Sequence, residues 1–408
     1  MKIADDVKHV FHDLRIDEQG PGTILRDFEA LLEFFGSRTV ETTGKRGALP
    51  VRILPELNRR LSRVTEGVSP RARLGGYPYI QGLYLLLRST GFVRLEKAGS
   101  RLRFALVPEV LASWRGLNPT ERYFALLEAW WFRARPEAIG VRPLLSSRLL
   151  SECIQLLYRI SRQELRVDPG RPGAGVDTYL GSPYNVPLMV LFGFVDLVPP
   201  GSPGAGDGLH ALRITPLGRA LSVLMSEEGM PGIAVLRRQG DEDGQSETPL
   251  RQRLRPLLPE WRNDLALPTF GRAEGLFVFK VSLGRVWRRI AIPSTLSLDN
   301  LAHTILAAFE FDCDHLYRFE YTDPFGARVW VEHPWAAEEC ATDEAQVGAL
   351  PLGEGATMTF VFDYGDNWTF DLVLERIGPP GPEVREPRVL EARGTPPPQY
   401  GDGDDEWE

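Results

Sequence analysis

The sequence predicts an α+β protein in two parts, a mostly helical N-terminal region and a C-terminal domain with a mainly antiparallel sheet. First, the chain has 408 residues, more than one ordinary hydrophobic core accommodates. Second, apolar residues recur at helical spacing in much of residues 1–236, whereas short alternating runs dominate residues 273–377. Third, the polar, acidic stretch 237–248 has no apolar period and indicates a linker.

One pattern occurs twice in the N-terminal region. An apolar helical run leads to Gly91 and a predicted hairpin, after which a helix begins at Pro108, and the same order recurs at Gly193 and Pro216. A short helical bundle followed by a hairpin is the element order of a winged helix, so we predict two winged-helix-like units. Chance similarity between two amphipathic stretches is the alternative. Further helical periods occur at 24–35 and 121–132.

The C-terminal elements follow from alternation and turn signals. Ser297 is a suitable N-cap, and Asp299 lies in the first turn, where the helix dipole favours a carboxylate. The helix that begins there is predicted to continue to Phe309. Strands are predicted at 276–282, 285–292, 316–321, 327–331, 358–362 and 369–374. One helix among several strands predicts an α+β domain with a mainly antiparallel sheet.

The predicted domain boundaries follow the changes in composition. The helical, tandem winged-helix-like region covers 1–236, the acidic linker 237–248, a connecting segment 249–272, the α+β domain 273–401 and an acidic tail 402–408. Residues 1–240 contain 32 Lys and Arg against 24 Asp and Glu, whereas residues 241–408 contain 15 against 31. The two parts therefore carry opposite net charge, and the overall charge of −8 is a poor guide to partners.

Composition also limits the class of protein. Hydrophobic residues make up 43% and charged residues 25%, both ordinary for a globular protein. No run approaches the roughly 18 apolar residues that span a membrane. Cys153, Cys313 and Cys340 lie far apart, which indicates a reducing compartment and excludes a zinc site built from cysteines. We therefore expect a cytoplasmic protein without membrane contact.

Four blocks in the C-terminal domain resemble one known family. They are Val286–Pro293 (VWRRIAIP), the helix Leu298–Phe309, Phe311–Phe319 (FDCDHLYRF) and Phe362–Trp368 (FDYGDNW). In this order they resemble the plasmid pRiA ORF-three-like family over residues 273–401. The resemblance implies that family's fold and a mobile-element context, and it implies no established activity.

The chain departs from that family near its end. Family members carry a Pro-Pro-Glu-Asp-x-Gly-Gly element, often with cysteines nearby. Residues 394–401 read Gly-Thr-Pro-Pro-Pro-Gln-Tyr-Gly, so Pro398 and Gln399 stand where the acidic pair is expected. A metal or redox role that the resemblance would assign through this element is therefore in doubt for this chain.

The first candidate site is a cluster of carboxylates with one imidazole. Such groups can hold a divalent cation or share general acid and base roles. Turn chemistry is the alternative, because Asp side chains bond the local backbone. The candidate residues are Asp312, Asp314, His315, Asp363 and Asp366.

The second candidate site combines arginines with aromatic rings. Guanidinium groups match carboxylate or phosphate, and aromatic rings offer stacking faces. Because neighbouring strand residues face opposite sides, we expect one of Arg288 and Arg289 to be exposed while the other pairs with Asp363 or Asp366. An internal ion pair that braces the sheet is the alternative to ligand binding. The candidate residues are Trp287, Arg288, Arg289, Tyr364 and Trp368.

The third candidate site is a basic run at 45–73, with eight Lys and Arg against Glu56 and Glu66. Its candidate nucleic-acid contacts are Arg52, Arg59, Arg60 and Arg63. The helices before the two hairpins, 79–88 and 184–191, are too apolar to read base edges and are expected to be buried. Any DNA contact would then be to the backbone and sensitive to salt.

Nothing in the sequence resembles a catalytic motif, because it lacks a phosphate-binding loop, a Gly-x-Ser-x-Gly elbow and a His-Glu-x-x-His pair. We expect a non-catalytic interaction or regulatory protein that needs no cofactor and binds a protein partner. Its binding groove is predicted to be lined by Arg288, Tyr364, Asp366 and Trp368. One alternative is sequence-nonspecific DNA binding through the basic region 1–240. A second is a metal-dependent hydrolase that uses the Asp/His cluster.

Overall fold

The computed structural model describes residues 5–42, 47–98, 101–140, 149–162, 165–167, 183–199, 210–226, 248–267, 273–323, 328–337, 341–379 and 385–400. The chain forms two units, one of residues 1–233 with 241–268 and one of residues 234–240 with 269–408. Nearly all of the predicted acidic linker and the whole tail 402–408 lie outside the described residues. No helix in the described ranges is long and apolar enough to cross a membrane.

The N-terminal unit is mostly helical, as predicted. Proline occupies the first turn of several of its helices, where a missing N–H costs nothing, and Asn118 forms a capping box with Glu121 at the start of α6. The helices are α1 (Asp5–Asp13), α2 (Ile24–Gly36), α3 (Leu54–Arg60), α4 (Pro78–Ser89), α5 (Pro108–Gly116), α6 (Pro119–Glu128), α7 (Leu149–Arg162), α8 (Asn185–Leu191), α9 (Pro216–Ser226) and α10 (Pro249–Leu254). Its strands are β1 (Val40–Glu41), β2 (Val93–Ala98), β3 (Arg101–Leu106), β4 (Leu165–Val167), β5 (Val195–Val198) and β6 (His210–Ile214).

The sequence repeat is matched by a repeat in strand order. One three-stranded antiparallel sheet has the order β1-β3-β2 and the other has the order β4-β6-β5. In each sheet a single strand pairs with the second strand of the following hairpin, and a helix, α4 or α8, lies between them in the chain. The winged-helix assignment stays a prediction that rests on this shared order.

The two helices that precede the hairpins are buried, as their apolar sequences predict. All residues of α4 and α8 are buried. The helices touch at Gly82, where an added Cβ would lie 2.7 Å from Cγ of Leu188. Neither helix can therefore enter a DNA groove in this structure.

Residues 249–267 were expected to connect the two domains, but they belong to the N-terminal unit. Trp261 stacks on Phe124 with ring centroids 4.5 Å apart. The buried carboxylate of Glu121 accepts hydrogen bonds from the backbone N–H groups of Arg262 and Asn263, at 3.0 and 2.6 Å. These contacts attach the segment to α6, and only the tertiary structure brings them together.

The C-terminal unit is built on one seven-stranded sheet in which every neighbouring pair is antiparallel. The predicted α+β class is confirmed. Along the sheet the strand order is β10-β9-β11-β12-β7-β8-β13, with α11 packed on one face. The elements are β7 (Leu276–Leu283), β8 (Val286–Pro293), α11 (Leu298–Ala308), β9 (Tyr317–Thr322), β10 (Arg328–Glu332), β11 (Thr357–Phe362), β12 (Trp368–Gly378) and β13 (Arg388–Arg393).

The core of this unit lies between α11 and one face of the sheet. Ser297 caps the helix by accepting a hydrogen bond from the backbone N–H of Asn300, which confirms the predicted N-cap. Leu301 and Ile305 of the helix pack with buried aromatic residues of the strands, among them Phe279, Phe319, Phe360 and Phe370. The strand residues between these point to the opposite face, which we call the outer face.

Candidate functional site

His315 joins two of the predicted acidic residues. Its Nε2 lies 3.0 Å from Oδ2 of Asp363, and its Nδ1 lies 2.9 Å from the backbone carbonyl of Asp314. Both neighbours offer hydrogen-bond acceptor atoms, so each ring nitrogen of His315 faces an acceptor. Asp363 also accepts a hydrogen bond from the N–H of Gly365 at 2.8 Å and has a φ of 53°. This is the turn chemistry that was the alternative to a metal site.

The carboxylate of Asp314 has partners that the sequence did not reveal. Tyr400 donates a hydrogen bond from its hydroxyl to Asp314, and Nε2 of Gln399 lies 3.1 Å from Oδ1. The bond from Tyr400 holds the pKa of Asp314 below its usual value and raises the pKa of Tyr400 to about 12. Gln399 stands at a position where the similar family has an acidic residue. This difference was the one signal in the sequence that could have identified Gln399 as part of the site.

The rest of the predicted acidic cluster does not converge. Asp312 contacts Gln399 through its backbone N–H and carbonyl, and its side chain is exposed. Asp366 is exposed in the turn between β11 and β12. Among the described residues, no three His, Cys, Asp or Glu side chains are arranged to hold a metal ion. The metal-dependent hydrolase alternative therefore finds no ligand set in the described residues.

The two arginines of β8 face opposite sides of the sheet, as predicted, but neither is exposed and neither pairs with Asp363 or Asp366. Arg288 is only 6% exposed. Its guanidinium donates to four backbone carbonyls, at 2.8, 3.0, 3.2 and 3.2 Å, which belong to Ala308, Trp287, Arg393 and Gly394. Arg289 pairs with Glu375 and Glu391 rather than with the turn carboxylates. The pairing of β13 with β8 places Glu391 opposite Arg289. These two residues are about a hundred positions apart in the chain, so the sequence did not reveal that they meet.

The predicted groove is not formed, because its members lie on different faces of the sheet. Trp368 has the same strand parity as the buried Phe370 and packs on Phe311 with centroids 5.0 Å apart. Tyr364 instead lies under Arg318 on the outer face, 5.0 Å from its guanidinium carbon. Trp287 is also on the outer face, where Lys280 and Arg289 lie over its ring.

The outer face carries a patch that the sequence analysis missed in part. We call Arg318, Trp330 and Tyr364 the aromatic patch. The guanidinium carbon of Arg318 lies 5.6 Å from the ring centroid of Trp330 and 5.0 Å from that of Tyr364. The two rings are 54% and 41% exposed. In β10, Trp330 lies between Val329 and Val331, which face the core. This alternation was the signal that could have identified Trp330 as an outward-facing residue.

The guanidinium of Arg318 forms an ion pair with Glu320 of the same strand. Its Nε lies 2.8 Å from Oε1 of the buried Glu320, whose other oxygen lies 2.5 Å from Nη2 of Arg328. Partial burial raises the pKa of Tyr364, so this ring stays neutral near neutral pH. The patch is thus a set of large side chains whose arginine shares the carboxylate of Glu320 with Arg328.

The arginines of the basic run lie on and around α3, and all four are exposed. Arg60 pairs with Glu56 at 3.0 Å. In the part of the chain that the structure describes, no carboxylate forms an ion pair with Arg52, Arg59 or Arg63. Three of the four predicted nucleic-acid contacts therefore present unneutralised charge.

Comparisons with known proteins match only part of the chain. Residues 277–407 match the family model of plasmid pRiA4b ORF-3-like proteins. The predicted resemblance of this domain is confirmed. A curated relative, uncharacterized protein y4hQ of Sinorhizobium fredii, is 30% identical over 117 residues, which are 28% of this chain and 58% of the relative. The match thus spans little more than half of that protein's length.

One solved structure is also similar to part of the chain. It is the crystal structure of a protein of unknown function from Methanosarcina mazei Go1, with 22% identity and a TM-score of 0.29. The match covers 31% of this chain and 74% of that protein. The names of these similar proteins state no activity, so function has to be argued from the residues themselves.

Proposed function

We propose that the protein is a non-catalytic interaction or regulatory protein and that a protein partner binds the aromatic patch. The observation that supports this most is the exposure of Trp330 and Tyr364 on either side of Arg318. Trp, Tyr and Arg are the residue types that dominate the binding energy of protein interfaces. A group of large exposed rings on one face of a sheet is typical of a protein interaction site.

The geometry of the patch favours binding. Glu320 already orders Arg318, so a partner does not have to immobilise that flexible side chain. The carboxylate is shared with Arg328, so the partner surface that fits is mainly apolar with polar or acidic groups at its rim.

The position of the patch at the sheet edge suggests the form of the partner. Trp330 lies in β10, which ends the sheet, and Trp335 just beyond this strand is 89% exposed. The carbonyl of Glu332 at the end of β10 already accepts a hydrogen bond from the N–H of Thr342. An extended segment can add to the edge before Glu332 through main-chain hydrogen bonds while its side chains contact the flanking rings. We therefore propose an extended segment of a protein as the ligand of β10 and the aromatic patch.

Replacing both Trp330 and Tyr364 by alanine is expected to weaken binding of this partner by at least about 30-fold, because one hot-spot truncation alone costs about 2 kcal/mol or more and the two effects need not add. Full-length tagged protein would capture the partner from cells of the source organism, and the affinity of the purified pair would then be measured. Tyr158→Ala is the matched control, because Tyr158 is an exposed aromatic residue of the N-terminal unit. Equal affinity of the double variant and the control would reject the patch.

DNA binding by the N-terminal unit is the second candidate function. It is supported by the exposed arginines Arg52, Arg59 and Arg63, whose charge no described carboxylate neutralises. Because α4 and α8 are buried, we propose contacts to phosphates alone, without recognition of sequence.

The DNA proposal predicts a specific salt dependence. For Arg59→Glu with Arg63→Glu, the slope of log affinity against log salt should fall by about two, one for each lost phosphate contact. Fluorescence anisotropy of a labelled duplex with the full-length protein measures this slope. Reversal of two exposed arginines in the C-terminal unit, Arg376 and Arg385, is the charge-matched control and should leave the slope unchanged. Absence of binding by the unaltered protein at low salt would end the proposal.

A further inference from the structure

Strand β13 is an open sheet edge of an unusual kind. All six residues from Arg388 to Arg393 are exposed, and Val389 and Leu390 are exposed apolar residues. The strand pairs with β8 on one side, and among the described residues no strand pairs with its other side. Unpaired backbone groups on such an edge are a template for pairing with another chain.

The sequence of this edge is complementary to itself. Residues 386–393 read Glu-Pro-Arg-Val-Leu-Glu-Ala-Arg. When two copies are aligned antiparallel about the centre of this segment, every charge meets the opposite charge and apolar residues meet apolar residues. The opposed pairs are Arg388 with Glu391, Arg393 with Glu386, and Val389 with Leu390.

A β-bulge in β13 places the opposed charged residues of this alignment on the same face of the sheet. Arg388 pairs with Ala291 and Glu391 pairs with Arg289, with the extra residue of the bulge between them. Ala291 and Arg289 are two residues apart and share a face of β8, so Arg388 and Glu391 share that face as well. In a regular strand they would point to opposite faces, and their pairing across a two-fold axis perpendicular to the sheet would fail. Because both copies carry the same bulge, Arg388 of one copy and Glu391 of the other lie on the same face and can pair.

Bulges and charges also serve to protect edges from association. Protective charges work by repelling a second copy, as a row of one sign does. In β13 the signs alternate so that a second copy is attracted, and the centre is apolar. Cross-strand pairs of opposite charge stabilise a sheet, whereas like charges directly opposite destabilise it.

We infer that two copies of this protein associate through β13 in antiparallel pairing, which joins their seven-stranded sheets into one continuous sheet. The two copies of α11 then lie on the same side of that sheet. Such a strand-to-strand contact is small, so the dimer forms and dissociates with protein concentration.

Sedimentation velocity of the full-length protein over a concentration series tests this inference. The unaltered protein should pass from monomer to dimer, and Arg388→Glu should weaken the dimer by at least about tenfold, because two attractive pairs become repulsive. Glu391→Arg should do the same. An equimolar mixture of the two variants should restore the dimer, because the reversed charge at position 388 of one copy then faces a charge of opposite sign at position 391 of the other.

The control is Arg376→Glu, which makes the same charge change at an exposed position of β12 and should leave the dimer unchanged. Thermal melts of each variant verify that the fold is intact, and Arg388→Glu alone decides the question if Glu391→Arg, which also removes the partner of Arg289, is unstable. An unaltered protein that stays monomeric, or an Arg388→Glu variant that dimerises normally, overturns the inference.

Discussion

Glu128→Ala is expected to lower the free energy of unfolding of the N-terminal unit by about 3 kcal/mol, because it removes the nearer of the two carboxylates that pair with the largely buried Arg251. Glu128 is 1% exposed. Its carboxylate accepts a hydrogen bond from the hydroxyl of Thr248 and lies 2.6 Å from Nη2 of Arg251, which is 12% exposed. Asp264 stays 3.2 Å from Arg251, so the expected cost is at the lower end for broken buried pairs.

The loss would be measured by denaturant unfolding of the full-length protein followed through tryptophan fluorescence. Because the chain has two units, each transition is fitted separately. Glu66→Ala removes an exposed glutamate and is the control, with an expected change within about 0.5 kcal/mol. If Glu128→Ala behaved like that control, the attachment of residues 248–264 through this network would be wrong.

Arg288→Leu is expected to destabilise the C-terminal unit by about 2–4 kcal/mol without acting on a ligand directly, because its guanidinium serves only backbone acceptors. These are the carbonyls of Ala308 at the end of α11, of Trp287 in β8, and of Arg393 and Gly394 at the end of β13. Leucine keeps much of the volume but leaves these acceptors without a charged donor, and such bonds are among the stronger ones in proteins.

The neighbouring Arg289→Leu is the matched control for this prediction. Arg289 forms ion pairs with Glu375 and Glu391 at the protein surface, where screening by solvent leaves little net stabilisation. We expect the melting temperature to fall clearly for Arg288→Leu and hardly for Arg289→Leu, with Arg288→Lys between them. The opposite order, or a stable Arg288→Leu protein that loses partner binding, would return Arg288 to the binding site that the sequence predicted.

The sequence predicted those parts of the fold that depend on local physics. Alternation and turn residues located β7 to β12, and the capping residue Ser297 located the start of α11. The four family blocks identified the C-terminal domain, which the family match at 277–407 confirms. Strand β13 was missed because its residues are exposed on both faces and show no apolar alternation.

The sequence indicated which residue types the candidate sites contain, but it did not show which of those residues contact each other. His315 and Asp363 do meet, whereas Arg288 and Tyr364 serve different faces of the sheet. Which residue an arginine meets depends on strand register over roughly a hundred residues of chain, and sequence spacing carries no record of it.

By itself the sequence determined the α+β class, the resemblance of the C-terminal domain to one family and the burial of α4 and α8, because hydrophobic period and side-chain polarity act locally. Only the tertiary structure decided that Arg288 supports the fold, that Trp330 and Tyr364 flank Arg318, and that α6 holds residues 248–264. Those outcomes depend on sheet register and on contacts between residues far apart in the chain, where packing and electrostatics select among partners that are equivalent in sequence.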